Sequence, residues 1–334
     1  MPAAAQAPAP AQQPPAAAPG AANTLDAIRN RGTLVCGVNT GLAGFAQPNS
    51  QGVWQGFDVD YCRALAAAIF GDANRVRYVP TTAQVRFTAL QSGEVDILSR
   101  NTTWTLSRDT SLGFDFGPTN FYDGQGFMVR RSANVRNARE LEGATICVQP
   151  GTTTEQNLAD WGRASRVRFT PVVIERLEDN ISAYLAGRCD AYTTDVSGLA
   201  ATRAVQQRPD DHVILPDVIS KEPLAPLYRH GDQRFGDLVR WLHFGLVAAE
   251  EFGITAANVQ QMVNDPRPEV QRMLGRTGDL GRMLGVDNAW LVNAIRAVGN
   301  YGEIFQRHLT PIGIQRGPNA LWTQGGLQYA PPFR

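Results

Sequence analysis

Three stretches of the chain gather residue types that could hold a small charged molecule. In Asn101-Thr102-Thr103-Trp104-Thr105-Leu106-Ser107-Arg108-Asp109, hydroxyls, an amide and an arginine crowd a loop-to-helix junction. The planar guanidinium of arginine matches a carboxylate through two parallel hydrogen bonds, which makes Arg108 a candidate anion clamp. In Gly151-Thr152-Thr153-Thr154-Glu155, Thr152 and Glu155 have capping-box spacing, and free amides at a helix start attract anions. Asp195 follows a strand-like run, where an exposed carboxylate could receive an ammonium group. Each stretch has an ordinary alternative: Thr105 and Thr152 as plain caps, and Asp195 as the N-cap of a helix from Val196. Together, an arginine with helix amides on one side and an aspartate on the other complement a zwitterion.

Catalytic patterns are scarce beside these stretches. His212, His230, His243 and His308 match no metal spacing. There is no Gly-x-Ser-x-Gly elbow, phosphate loop or dinucleotide fingerprint. Gly37-Val38-Asn39-Thr40-Gly41 only faintly echoes a glycine-rich loop. The balance favours binding over catalysis.

The three stretches need elements to position them. Thr33–Val38 reads as a buried strand, Asp58–Phe70 as a helix ended by Gly71, and Val76–Val79 as a strand. Ala83–Gln91 then reads as a helix and Val95–Leu98 as a strand. The alternation recurs as strand Ala144–Val148, helix Thr154–Trp161, strand Val172–Ile174, helix Leu177–Ala186 and strand Asp190–Thr194. Such β-α-β-α-β order is the signature of a mostly parallel sheet. Two junctions share a spelling, Ala89-x-x-x-Gly93-x-x-Asp96 and Ala183-x-x-x-Gly187-x-x-Asp190, and both first strands carry a cysteine. Two similar α/β halves are the simplest reading. All three candidate stretches follow strands, and ligands of open parallel sheets bind at strand carboxyl ends. Beyond Val213 the alternation stops: Pro226–Tyr228 is strand-like, and Phe235–Glu251 and Val286–Phe305 read as helices. Gly325–Arg334 reads as a clamped tail, and the C-terminal segment is expected to complete the core of the first half.

Composition narrows the class. The 334 residues carry 31 Lys and Arg against 31 Asp and Glu, without the basic excess of a nucleic-acid binder. At roughly 100–200 residues per domain the length suits two domains, and no apolar run approaches the ~18 residues of a membrane span. Residues 1–23 are nearly all Ala, Pro and Gln, a tail expected to be disordered because it cannot bury apolar surface. It lacks the basic start and leucine-rich stretch of an intact signal peptide. The expectation is a chain whose signal has been removed; a cytosolic protein with a disordered tail is the alternative.

Four longer motifs now make a resemblance specific. They are Arg-Asn-Thr-Thr-Trp-Thr-x-x-Arg-Asp at 100–109, Asp-Gly-Gln-Gly-Phe-Met-Val-Arg at 123–130, Val-Gln-x-Gly-Thr-Thr-Thr-Glu at 148–155 and Tyr-Thr-Thr-Asp at 192–195. From Thr24 to Arg334 the chain resembles the periplasmic solute-binding proteins of general L-amino acid ABC importers, including the glutamate/glutamine/aspartate/asparagine-binding branch. The resemblance implies an α/β, two-lobed type II periplasmic binding protein, each lobe a mostly parallel sheet flanked by helices, joined by a two-strand hinge. One lobe would comprise residues 24–122 plus 220–334 and the other 123–219, with crossings near Phe121–Gln125 and Pro216–Glu222. The implied protein is a periplasmic monomer that needs no cofactor, catalyses nothing and hands a free L-amino acid to an ABC permease.

The resemblance also implies site roles. Arg108 clamps the α-carboxylate, helped by Thr103 and the amide at Thr153, while Asn101, in place of the usual serine, and Asp195 receive the α-ammonium. Members that bind basic amino acids carry an acidic residue where Asn39 stands. With Arg100 and Gln149 near the side-chain end, acidic and amide side chains are favoured, and a broad range is compatible. Arg86 is a further candidate or a surface helix residue. The four cysteines allow three pairings. If oxidised, Cys36–Cys62 and Cys147–Cys189 are expected, each within one lobe; four buried thiols are the alternative. The rival readings are an enzyme on the same fold, of dehydratase or lytic transglycosylase type, and a sensory domain.

Overall fold

The structure, a computed structural model, describes residues 23–334. The expected disordered tail lies outside these residues except for Asn23. That residue caps the helix Thr24–Arg31, its side chain accepting from the Asp26 N–H at 3.2 Å.

Two five-stranded sheets organise the rest, and they share one plan. The first runs Val76–Pro80, Leu34–Val38, Ile97–Leu98, Leu227–Arg229, Phe114–Phe116. The second runs Thr170–Val173, Thr145–Val148, Ala191–Asp195, Gln125–Arg130, His212–Ile214. In each, the first three strands are parallel and the fourth is antiparallel to both neighbours. The shared spelling of the two junctions has a physical basis. Gly93 and Gly187 turn the chain at φ +79° and +85°, a region that a side chain disfavours. Three residues later, Asp96 accepts from the Val35 N–H at 2.7 Å and Asp190 from the Thr145 N–H at 2.8 Å. Each aspartate thereby pins the start of the second strand in its sheet's order, Leu34–Val38 or Thr145–Val148.

The C-terminal segment belongs to the first sheet. Helix Trp290–Val298 packs along helix Phe57–Phe70, and Trp290, Leu291 and Ile295 are at most 1% exposed. Each such side chain contributes about 1.5–3 kcal/mol by leaving water. The expected single helix Val286–Phe305 is in fact two, Trp290–Val298 and Tyr301–His308. Asn300 breaks it: its side chain accepts from the Glu303 N–H, while Glu303 accepts from the Asn300 N–H, a capping box that starts a new helix. The last residues are clamped too. Gln328 accepts from His243 at 3.0 Å, and Phe333 is buried against Trp241.

The chain passes between the sheets on two segments that pair as an antiparallel ribbon, Phe121–Asp123 with Glu222–Leu224. The second segment lies later than expected and shares only Glu222 with Pro216–Glu222. Two disulfides each stay within one sheet unit: Cys36–Cys62 ties strand Leu34–Val38 to helix Phe57–Phe70, and Cys147–Cys189 ties strand Thr145–Val148 to the turn ahead of strand Ala191–Asp195. Among the described residues no helix is long and apolar enough to cross a membrane.

Candidate functional site

The strand ends of the two sheets face each other across a cleft. Thr103 from the first side and Thr153 from the second come within 3.3 Å, hydroxyl to hydroxyl. A polar cavity of about 30 Å³ lies here, lined by Asn39, Arg100, Asn101, Thr103, Gln149, Thr153 and Asp195, together with Arg86 and several threonines. Seven of the eight sequence-derived candidates thus share one cavity. Arg108 is the exception: it lies one layer back, its Nη1 donating to the Thr103 carbonyl at 2.8 Å while its guanidinium sits over the Phe87 ring.

Local caps decide which candidates are free to act. Thr105 caps the helix Leu106–Thr110 by accepting from the Arg108 N–H at 3.4 Å, which fixes the backbone of Arg108. Thr152 caps the helix Thr153–Ser165 through the Glu155 N–H at 3.1 Å. That helix therefore opens at the cavity, and Thr153 N–H is among its first-turn amides, which have no intrahelical acceptor. Asp195 precedes the helix Val196–Ala204 but makes no side-chain cap; the Ser197 N–H turns to Asp123 instead, at 3.3 Å. The Asp195 carboxylate is 6% exposed and makes no ion pair or side-chain hydrogen bond among the described residues.

Charges of both signs crowd the cleft. Burial pushes the Asp195 carboxyl well above the usual carboxylate range, and the Asp123 and Glu222 carboxylates push it further, against Arg86 and Arg108. Asp58, behind the Asn101 backbone, is pushed up to about 7 by burial, partly offset by the Asn101 N–H and Arg100. Burial lowers Arg86, Arg100 and Arg108; Arg100 falls to about 10, with Asp58 and Asp195 opposing the drop. Raised buried carboxyls also occur at acid–base centres. Here desolvation in a closed cleft accounts for them.

Neighbouring polar groups hold the rest of the cavity wall in place. Arg100 Nε donates to the Thr81 carbonyl at 3.0 Å. Asn39 Nδ2 donates to Asn101 Oδ1 at 3.0 Å, and Gln149 Nε2 to the Glu175 carbonyl at 2.9 Å. Asn101 takes φ +23°, a positive value that asparagine tolerates better than most residues.

Two residues of the cleft carry more than sequence reasoning assigned them. Arg86 is no surface residue: it is 3% exposed, its Nε is buried without a partner, and it lines the cavity. Its signal was available, since Arg86, Ala89 and Leu90 form the buried face of their helix at i, i+3, i+4 spacing. Glu222, on the ribbon, was missed. Its Oε2 accepts from Thr103 at 2.5 Å and Thr153 at 2.9 Å, and its Oε1 from Asn157 and Ser220 at 2.6 Å each. No local pattern aims a ribbon glutamate into a cleft.

Two similar α/β units, joined by a two-stranded ribbon around a buried cavity of mixed charge, define a cleft-type solute-binding protein. Residues 34–309 match the family described as bacterial extracellular solute-binding proteins, family 3, and the chain belongs to that family. It is 56% identical over 323 residues to the general L-amino acid-binding periplasmic protein AapJ of Rhizobium johnstonii, covering 95% of each chain. It is 56% identical over 317 residues to the glutamate/glutamine/aspartate/asparagine-binding protein BztA of Rhodobacter capsulatus, covering 94% of each. A solved structure of an ABC transporter periplasmic binding protein from Brucella ovis, with glutathione bound, superposes with a TM-score of 0.92. Its identity is 56%, over 94% of this chain and 100% of that one. The protein is thus a binding protein and not an enzyme.

Proposed function

We propose that this protein is the periplasmic receptor of an ABC importer, binding a free L-amino acid and passing it to the permease subunits as a monomer. One observation carries the reading. Among the described residues Asp195 is a buried carboxylate without a side-chain partner, facing a cavity lined by Arg86 and Arg100, with Arg108 buried one layer behind. Burying charges of both signs without direct pairing is costly, and a zwitterion resolves it. Arg108 spends one of its five donors on the Thr103 carbonyl; the others, with the Thr153 amide, suit the α-carboxylate. Asp195 and Asn101 suit the α-ammonium. Arg86, Arg100, Asn39 and Gln149 bound the side-chain end, where their donors favour Glu, Gln, Asp and Asn and repel a lysine or arginine side chain.

The same reading assigns residues 24–122 plus 220–334 and 123–219 to two lobes that part about the ribbon. The cavity, about 30 Å³, holds little more than about two waters, so an amino acid gains access only as the lobes open. Secretion with loss of a signal segment would place the chain where such relatives work.

A thermal-shift screen over the common amino acids tests the function. At a hundredfold excess over Kd, a ligand adds about 2.7 kcal/mol, which raises Tm by several degrees. Glu, Gln, Asp and Asn should give the largest shifts and Lys and Arg the smallest. No shift with any amino acid would overturn the reading. Equal affinity for Lys and Glu in competition calorimetry would overturn only the roles of Arg100 and Asn39. Glutathione belongs in the screen, because its γ-glutamyl end carries the same α-ammonium and α-carboxylate.

A further inference from the structure

Glu222 sits where the two lobes and the ribbon meet, 1% exposed. Four donors converge on its two oxygens: Thr103 and Thr153 on Oε2, Asn157 and Ser220 on Oε1. A carboxylate only accepts, and a hydroxyl has one proton. Both threonine protons are therefore committed to Oε2. The contact between the two hydroxyls, 3.3 Å, is then left without a proton. What Thr103 and Thr153 present to the cavity is lone pairs.

We propose that Glu222 is a positioning residue that sets the polarity of this wall, turning Thr103 and Thr153 into acceptors that, with Asp195, receive the three N–H donors of a ligand's ammonium, in the place given above to Asn101, whose Oδ1 already accepts from Asn39. The proposal rests on the amino-acid reading above and deepens it. It also reassigns the Thr103 hydroxyl, which was expected to assist at the carboxylate. Glu222 touches no ligand; it decides which ligands the threonines accept. The cavity would thereby discriminate an α-amino acid from the same molecule lacking its amino group.

Glu222→Gln tests this, because an amide has one acceptor and one donor end. Asn157 Nδ2 can only donate, so it holds the amide oxygen on its own side. The amide NH2 then faces Thr103 and Thr153, whose hydroxyls must accept from it and turn their protons to the cavity. The readout is the ratio of Kd for glutarate to Kd for L-glutamate, measured by calorimetry. In Glu222→Gln this ratio should fall at least tenfold. Adding Asn157→Asp turns the amide around, because the new carboxylate takes the NH2, and should restore most of the ratio. A merely structural Glu222 would weaken both ligands equally, and a ratio within threefold of the unsubstituted protein's overturns the proposal. If Glu222→Gln fails to fold, Thr153→Val should lower the ratio at least threefold while Thr153→Ser preserves it; an unchanged ratio in Thr153→Val overturns it. Failure of the unsubstituted protein to bind L-glutamate or any other amino acid would overturn the underlying reading, whereas binding with an unmoved ratio overturns this inference alone.

Discussion

Replacing Arg108 by alanine should abolish most of the affinity for amino acids while sparing the fold. Its guanidinium is 7% exposed, is steadied by the Thr103 carbonyl at 2.8 Å, and lies in the field of Glu222 and Asp195. Truncating one partner of a buried, hydrogen-bonded charge pair costs about 2–5 kcal/mol, or roughly thirtyfold to several-thousandfold in Kd. The structure points to the lower half of that range. Removing this cation leaves Asp195 and Glu222 less compensated, and their stronger pull on the α-ammonium offsets part of the loss. The offset suggests a control ligand: an amino-acid amide keeps the ammonium but has no carboxylate, and should lose less than about threefold. Calorimetry of the free acid and its amide, on protein whose melting curve remains cooperative, separates the effects. Near-normal binding of the acid by a folded Arg108→Ala protein would refute the assignment. An equal loss for acid and amide would show that Arg108 supports the cleft without reading the carboxylate.

Three further outcomes follow from the same geometry. Asp195 is held above the usual carboxylate range by burial and neighbouring carboxylates, and an arriving ammonium favours its ionised form. Binding should therefore release protons and tighten as pH rises; calorimetry in buffers of different ionisation enthalpy reads the release, and buffer-independent heats would refute it. Closure about the ribbon should reduce the radius seen by small-angle scattering when ligand saturates the protein, since Arg108 and Asp195 lie on opposite sides of the cleft; an unchanged profile would argue for a rigid site. His243, between Tyr61 and Gln328, is pushed down to about 4 by burial. The unfolded chain binds that proton already near pH 6.5, so the contribution is fully present above that pH and is lost as pH falls to about 4, about 3 kcal/mol in all. Imidazole resonances of His243 that titrate near pH 6.5 in the folded protein would contradict this.

The sequence by itself determined the local structure of this protein. The apolar runs and their spacing specify seven of the ten strands of the two sheets, and Thr105 and Thr152 spell helix starts because a side-chain oxygen must accept a first-turn N–H; the strands Phe114–Phe116, Gln125–Arg130 and His212–Ile214 and the helix break at Asn300 emerged only in the fold. The repeated Ala-x-x-x-Gly-x-x-Asp wrote the same strand-anchoring turn twice, and the loops after the strands held seven residues of one cavity. Only the tertiary structure decided what those residues face. Asp195 could have been a cap until the Ser197 N–H was seen to turn to Asp123. Arg86 lay on the buried face of its short helix, but a face pattern does not say that the burial is against a cleft. Arg108 had the right neighbours in sequence, yet it stands a layer behind Thr103. Glu222 was beyond any local reading, because its partners Thr103, Thr153 and Asn157 come from distant segments that meet only when the ribbon brings the lobes together. Hydrogen bonds within a turn are dictated by neighbours along the chain, whereas the polarity of a cleft is set by donors and acceptors that the crossing of the chain brings face to face.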